Sequence, residues 1–376
     1  MRTVEISSNG LRTKRRKQKG AALVALLALF GLVVAACGGD DDSSASTETT
    51  TSDTTETTAS AEPVTLRLGY FGNTTHAPAL VGIESGLFEE ALGDNVTLEA
   101  KPFKAGPEVV EAIFSGGLDA SFIGPNPAIN AYAQSDGTAI RIVSGTASGG
   151  AYLVVQPEIG GPEDLAGKKI ASPQLGNTQD VALRTWLKDQ GYETDTTGGG
   201  DVSVVPQENA QTLETFQAKA IDGAWVPEPW ATRLVEEGGG KILVDERDLW
   251  PDGRYVTTHL IVTTEFLDAH PDIVQQLIAG LADSIEKIES DPDAAGQDVA
   301  AGIEAATGKP IKPELVDATF ANVEFTLDPI ASSLRTSASN AEALGLLDPV
   351  DLDGIYDLEA VNAVLQERNE EAVSDS

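Results

Sequence analysis

One cysteine in 376 residues, Cys37, excludes a disulfide framework and any cysteine-rich metal site. Histidine is nearly as scarce, three in all. No group of histidines or carboxylates has metal-ligand spacing, so neither metal nor cofactor is expected. Basic residues are few and unevenly placed: 25 Lys+Arg stand against 59 Asp+Glu, a formal charge of −34. Seven of the 25 fall within residues 1–36, which leaves 18 against 58 in the remainder. Nucleic acid is thereby excluded as a partner, because phosphate contacts need clustered Lys and Arg. A small anion is not excluded: screening at physiological salt acts over about 8 Å, so the groups lining a site decide, not the distant total.

What is present begins with an address. A basic stretch, 12–19, precedes an apolar one, 21–36, that is short for a membrane span. It ends in Val34-Ala35-Ala36-Cys37-Gly38, which resembles a bacterial lipobox. The resemblance implies cleavage of residues 1–36 as a signal peptide and lipidation of Cys37. Arg15-Arg16 is a twin arginine without the usual continuation, so the export route stays open. Residues 37–62 are almost entirely Gly, Ser, Thr, Asp, Glu and Ala. They cannot bury enough apolar surface to fold and are expected to form a disordered, lipid-anchored tether whose threonines could carry glycans.

The body is organised around one motif written twice. Leu118-Asp119-Ala120-Ser121-Phe122-Ile123-Gly124-Pro125-Asn126-Pro127 returns about a hundred residues later as Ile221-Asp222-Gly223-Ala224-Trp225-Val226-Pro227-Glu228-Pro229-Trp230. Each reads as a buried strand ending in Pro-x-Pro before a helix. The second proline suits a first helical turn, and the residue before it is pushed to an extended conformation. Asn126 and Glu228 are therefore expected at or beside helix N-caps. What precedes also repeats: a helix with a Phe, a Gly/Ala-rich turn, an acidic strand start. Ligands of open α/β sheets bind at strand C-termini and helix N-termini, so two such ends suggest two lobes facing one cleft.

The surrounding elements fit. An alternating strand, 64–70, breaks at Thr74-Thr75-His76-Ala77-Pro78, and one helix follows with Leu80, Ile83, Leu87 and Phe88 at helical spacing. Thr75 or His76 should lie near its N-cap. Strands are expected at 97–101, 140–145, 152–155, 202–205, 241–244 and 255–262, with helices at 108–114, 128–134, 181–187 and 210–219. Ser148-Gly149-Gly150 permits close backbone approach, to a ligand or in a turn. Asn177 or Thr178 caps the helix bearing Trp186. From 271 onward the chain reads as helices, 273–288, 299–306, 313–323 and 358–368, before a loose acidic tail.

The lipobox, the Thr-Thr-His-Ala-Pro loop, Gly117-Leu118-Asp119-Ala120, Asp164-Leu165-Ala166-Gly167-Lys168-Lys169-Ile170-Ala171 and the Trp225-to-Pro229 turn are similar to substrate-binding proteins of ABC importers. The aliphatic sulfonate/taurine/nitrate-binding family is the nearest match, over roughly 64–335. The resemblance implies an α/β, two-lobed, type II periplasmic-binding-protein-like fold with a ligand cleft between the lobes. Lobe I would take 63–153 and, with C-terminal helices, 251–370; lobe II would take 154–250. Crossovers would lie near 150–157 and 248–256. It implies a monomer held at the outer face of the cell membrane by its lipid, which closes on a small solute and delivers it to ABC permease subunits.

Carried over position by position, the ligand-binding residues would be Thr74, Thr75, His76, Asn126, Ser148, Gly149, Asn177, Thr178, Trp225 and Glu228. None of these loops holds a Lys or Arg, so an oxyanion would rest on backbone N–H groups, hydroxyls and helix ends. Charge-assisted bonds at roughly 1.5–3 kcal/mol each, with up to about 2 from a helix end, can reach the ~8 kcal/mol of micromolar binding after ordering costs. Glu228 would welcome an amine such as that of taurine, or else cap its own helix or pair with Arg233. Trp225 would either stack a ligand or sit in the core. Aliphatic sulfonate or taurine is the expected cargo, with nitrate or a thiamine-precursor pyrimidine as alternatives. A same-fold enzyme of thiamine-pyrimidine or menaquinone synthesis is disfavoured: no nucleophilic Cys lies in the mature body, and lipid export suits scavenging. A tethered sensor or adhesion module is a further competitor.

Overall fold

The computed structural model describes residues 62–375. The expected signal peptide, Cys37 and all of the tether but its last residue lie outside the described residues. Among the described residues no helix is long and apolar enough to cross a membrane.

In chain order, β1 (Val64–Phe71), α1 (Ala77–Glu84), α2 (Leu87–Leu92), β2 (Val96–Phe103), α3 (Gly106–Phe114), β3 (Ala120–Ile123), α4 (Pro125–Gln134) and β4 (Ile140–Gly149) come first. Next are β5 (Ala151–Val155), β6 (Lys169–Ser172), α5 (Thr178–Asp189), β7 (Ser203–Pro206), α6 (Asn209–Gln217), β8 (Gly223–Pro227), α7 (Trp230–Glu236) and β9 (Lys241–Asp245). After β10 (Val256–Thr263) run α8 (Thr264–Ala269), α9 (Pro271–Ser290), α10 (Pro292–Thr307), α11 (Pro313–Phe320), β11 (Val323–Phe325), α12 (Ala331–Ala343) and α13 (Glu359–Glu367).

Two sheets result, β11-β4-β10-β3-β1-β2 and β7-β6-β8-β5-β9. In the first, β1 lies parallel between β2 and β3; in the second, β6 lies parallel between β7 and β8. Each is therefore a doubly wound unit with its switch point beside its central parallel strand, at β1/β3 and at β6/β8. Both faces of both sheets are covered. In β5, Tyr152 and Val154 join one core with Phe216 and Val226, while Leu153 and Val155 join another with Trp186 and Trp225. That two-residue period decides where Trp225 points.

The repeated motif does the same work in each half. Asp119 Oδ2 accepts the backbone N–H of Arg67 at 2.8 Å, and Asp222 Oδ2 accepts that of Lys169 at 2.8 Å. Each aspartate pins its strand to the neighbouring one, with the side chains of Arg67 and Lys168 as counter-charges.

Several expectations are corrected. The single helix through Phe88 is two, because Gly86 takes φ 77° and turns the chain before α2. Ser148 and Gly149 belong to β4, paired with β10 and β11, not to a loop. The chain passes between sheets at Gly149–Gly150, at the start of the 150–157 segment, and returns through 246–255. Asn126 lies inside α4, whose N-cap is Gly124, whereas Glu228 stands just before the N-cap Pro229. Strand β11 and helix α12 had no sequence expectation: α12 is rich in Ser and Ala, and its buried row, Ala331, Leu334, Ala338 and Ala341, holds only one large apolar side chain. The acidic tail is docked, Asn362 exchanging two hydrogen bonds with the backbone of Val373.

Candidate functional site

The C-terminal ends of six parallel strands, β1, β2 and β3 from one half and β6, β7 and β8 from the other, converge on one small chamber. Its wall takes His76 after β1, Lys104 after β2, Gly124 after β3, Thr178 after β6, Asn209 after β7 and Pro227 at the end of β8. It leaves only about 20 Å³ for the centres of water-sized spheres, room for one or two small groups. Three polar atoms on this wall are buried without a partner among the described residues: His76 Nδ1, Thr178 Oγ1 and Asn209 Oδ1. Burial lowers His76 to about 3, so its ring is neutral. The N-cap of α5, Asn177, makes no side-chain capping bond, so the first-turn N–H groups of this helix have no cap side chain as a partner. The α4 end is poorer in donors: Pro125 and Pro127 remove two N–H groups from its first turn.

The two halves touch across this chamber. Thr74 N–H donates to the Glu228 carbonyl at 2.9 Å, and Trp230 Nε1 donates to Asn73 Oδ1 at 2.8 Å. Asn322 Nδ2 donates to Glu228 Oε1 at 2.8 Å, and Lys104 Nζ pairs with Glu208 at 2.7 Å. The lobes are closed.

The ten sequence candidates therefore divide. Thr75, His76, Asn177 and Thr178 line the chamber. Asn126 lies on a neighbouring one that also has Thr178 in its wall, and its Nδ2 donates to the Ser337 carbonyl. Thr74 stands at the lobe contact, its hydroxyl accepting from Thr319 Oγ1. Ser148 and Gly149 are engaged beside the crossover: Ser148 Oγ accepts from Tyr255 N–H, and the Gly149 carbonyl accepts from Thr257 Oγ1. Trp225 is not brought to the cleft. It is fully buried against Trp186, with its indole N–H on Glu246 Oε2 at 2.7 Å. Glu228 reaches the lobe junction, but its carboxylate accepts the N–H and hydroxyl of Thr232, one turn into α7, and the amide of Asn322. Burial raises its pKa, opposed by those bonds. Arg233 pairs with Glu237, not Glu228.

Lys104 and Asn209 escaped the sequence reading although each follows a parallel strand, which is the signal that finds the others. Lys104 qualifies the expectation of a lysine-free wall, but its ammonium is turned to Glu208. Glu246 and Tyr255, from the return crossover, line the second chamber and had no sequence signal. Among the described residues no group of three or more His, Cys, Asp or Glu could hold a metal ion.

Two doubly wound halves whose strand ends meet at one chamber have the two-lobed fold of periplasmic binding proteins. Solved structures share the fold. The alkanesulfonate-binding protein SsuA from Xanthomonas axonopodis pv. citri, bound to MOPS, aligns with TM-score 0.63 at 21% identity over 77% of this chain and 96% of that one. The periplasmic nitrate-binding protein NrtA from Synechocystis PCC 6803 aligns with TM-score 0.64 at 17% identity over 81% and 89%. In sequence, the taurine-binding periplasmic protein of Escherichia coli K12 is 27% identical over 233 residues, 62% of this chain and 69% of that protein. The chain belongs to the NMT1-like family, whose model matches residues 59–304.

Proposed function

We propose that this protein is the extracytoplasmic solute-binding component of an ABC importer, anchored through a lipid on Cys37, that captures a small sulfonate-type solute and delivers it to a permease. Capture, not catalysis, is its role. The observation that carries the reading is the convergence of six strand ends on one small chamber whose wall holds partnerless polar atoms. Groups that forgo water without gaining a protein partner are costly unless a ligand supplies one.

In this reading the oxyanion lies against the N-terminus of α5, where unpaired N–H groups, the Thr178 hydroxyl and the positive helix end act together. Neutral His76 offers a hydrogen bond without charge. The lobes open by bending at 149–150 and 246–255, and the closed arrangement held by the Thr74–Glu228 and Asn73–Trp230 hydrogen bonds is what the permease reads. The smallness of the chamber also favours a bare oxyanion such as nitrate as the second reading.

The test is thermal shift followed by calorimetry with taurine, short alkanesulfonates, nitrate and pyrimidines. One of the sulfonates should bind at micromolar affinity or better, and Thr178→Ala should weaken it at least tenfold with an unchanged melting temperature. Tight binding of nitrate alone shifts the cargo; normal binding by Thr178→Ala removes the chamber from the mechanism.

A further inference from the structure

The cleft does not end at Thr178. On its other side lies a second chamber walled by Asn126, Thr178, Glu246, Trp250, Tyr255 and Asn340. It leaves about 10 Å³ for the centres of water-sized spheres, the room of a single water or ammonium group. Its chemistry is the reverse of the first. Glu246 is 1% exposed and enters no ion pair among the described residues; its hydrogen-bond partners are the indoles of Trp225 and Trp250. The adjacent cation, Arg247, is turned away and neutralised by Asp245 at 2.7 Å. Thr178 Oγ1 and the Tyr255 hydroxyl are buried without a well-formed hydrogen bond, although Thr257 lies near the latter. Glu246, Tyr255, Thr178 and Asn126 thus wall a space that has no Lys or Arg among its lining residues. A buried carboxyl in that condition either takes up a proton or needs a positive group beside it to stay ionised.

The first chamber meets the uncapped N-terminus of α5 and the second holds a carboxyl, with Thr178 common to both. The geometry points to a zwitterionic solute: its oxyanion occupies the first chamber at the N-terminus of α5, and its ammonium occupies the second chamber, with Glu246 as counter-ion and Tyr255 and Thr178 as hydrogen-bond partners. This rests on the reading of the first chamber as an oxyanion site. It moves the amine contact from Glu228, whose carboxylate is already engaged, to a residue of the return crossover.

The experiment measures affinities of the full chain for two matched pairs, taurine against ethanesulfonate and β-alanine against propionate, in the wild type, Glu246→Gln and Tyr255→Phe. The amide that replaces the carboxyl in Glu246→Gln retains an oxygen for the Trp225 N–H, so a purely structural role of Glu246 leaves the pair ratios untouched. The inference expects at least a tenfold preference for the amine-bearing member in the wild type. Glu246→Gln should bring that ratio to about one while changing ethanesulfonate affinity less than threefold, and Tyr255→Phe should reduce the ratio partially. Equal binding of taurine and ethanesulfonate by the wild type overturns the ammonium site and leaves the sulfonate reading standing. An amine preference that survives both substitutions overturns it equally. Binding of β-alanine over propionate through Glu246, with neither sulfonate bound, upholds the ammonium site and removes the sulfonate reading. Binding of none of the four overturns both.

Discussion

Replacing Glu246 by Gln should stabilise the ligand-free protein at alkaline pH and leave it unchanged in acid. Burial pushes the Glu246 carboxyl from 4.5 to about 7, with hydrogen bonds from Trp225 and Trp250 opposing the rise. In the unfolded chain the group ionises near its ordinary value, so between those two pH values the folded state binds the extra proton. Stability from this group is fully present below about 4.5 and is lost as pH rises through about 7. At about 1.4 kcal/mol per unit, the total is about 3 kcal/mol. Glutamine cannot ionise but keeps an acceptor for the Trp225 N–H, so the variant is free of this loss. Urea denaturation of both proteins without ligand, from pH 4.5 to 8.5, should show curves that coincide at the acid end. They should separate through pH 5–7 and run parallel, about 3 kcal/mol apart, above pH 8. A gap that is independent of pH, or one that opens toward acid, would refute the argument that Glu246 is buried without a counter-charge.

Three further outcomes follow from the closed cleft. A Cβ at Gly124 would lie 2.3 Å from Thr178 Oγ1 of the opposite lobe, while its φ of −73° suits alanine. Gly124→Ala should therefore keep both lobes folded, enlarge the radius seen by small-angle scattering and weaken ligand at least tenfold; unchanged affinity with unchanged dimensions would contradict the closure geometry. Asn322→Ala removes a hydrogen bond to the Glu228 carboxylate, worth roughly 1.5–3 kcal/mol, so a distance probe across the lobes should report an opened population about tenfold larger. His76, lowered from 6.5 to about 3 by burial, supports stability that is full above 6.5 and lost as pH falls toward 3, at up to about 1.4 kcal/mol per unit. His76→Gln should lose less stability than the wild type between pH 6 and 4, and an identical acid slope would show that the ring is not held neutral.

The sequence carried the architecture because each strand-end motif is a local device. The aspartates at 119 and 222, the prolines after the strands and the helix start at Asn177 act within a few residues, and their order along the chain implies two similar units. Thr75, His76 and Thr178 were legible for the same reason: in an open α/β sheet, position relative to a strand end is almost position relative to the cleft. The rule extends to Lys104 and Asn209, which a stricter application would have found. It fails for Trp225, because a residue inside a strand is aimed by the two-residue period against the core, not by its distance from the strand end. It also says nothing about what a side chain does once there, which is how Glu228 reaches the junction yet caps its own helix.

By itself, then, the sequence determined two doubly wound units, their strand ends and the residue types placed there, since these follow from short-range backbone chemistry. Only the tertiary structure decided which side chains stay without partners. Glu246 and Tyr255 lie on the return crossover, where nothing in the local pattern marks burial. Their proximity to Asn126 from one lobe and Thr178 from the other exists only because the lobes close. The charge state of a carboxyl depends on water that packing removes and on cations that folding brings or withholds, and neither is written in the neighbouring residues.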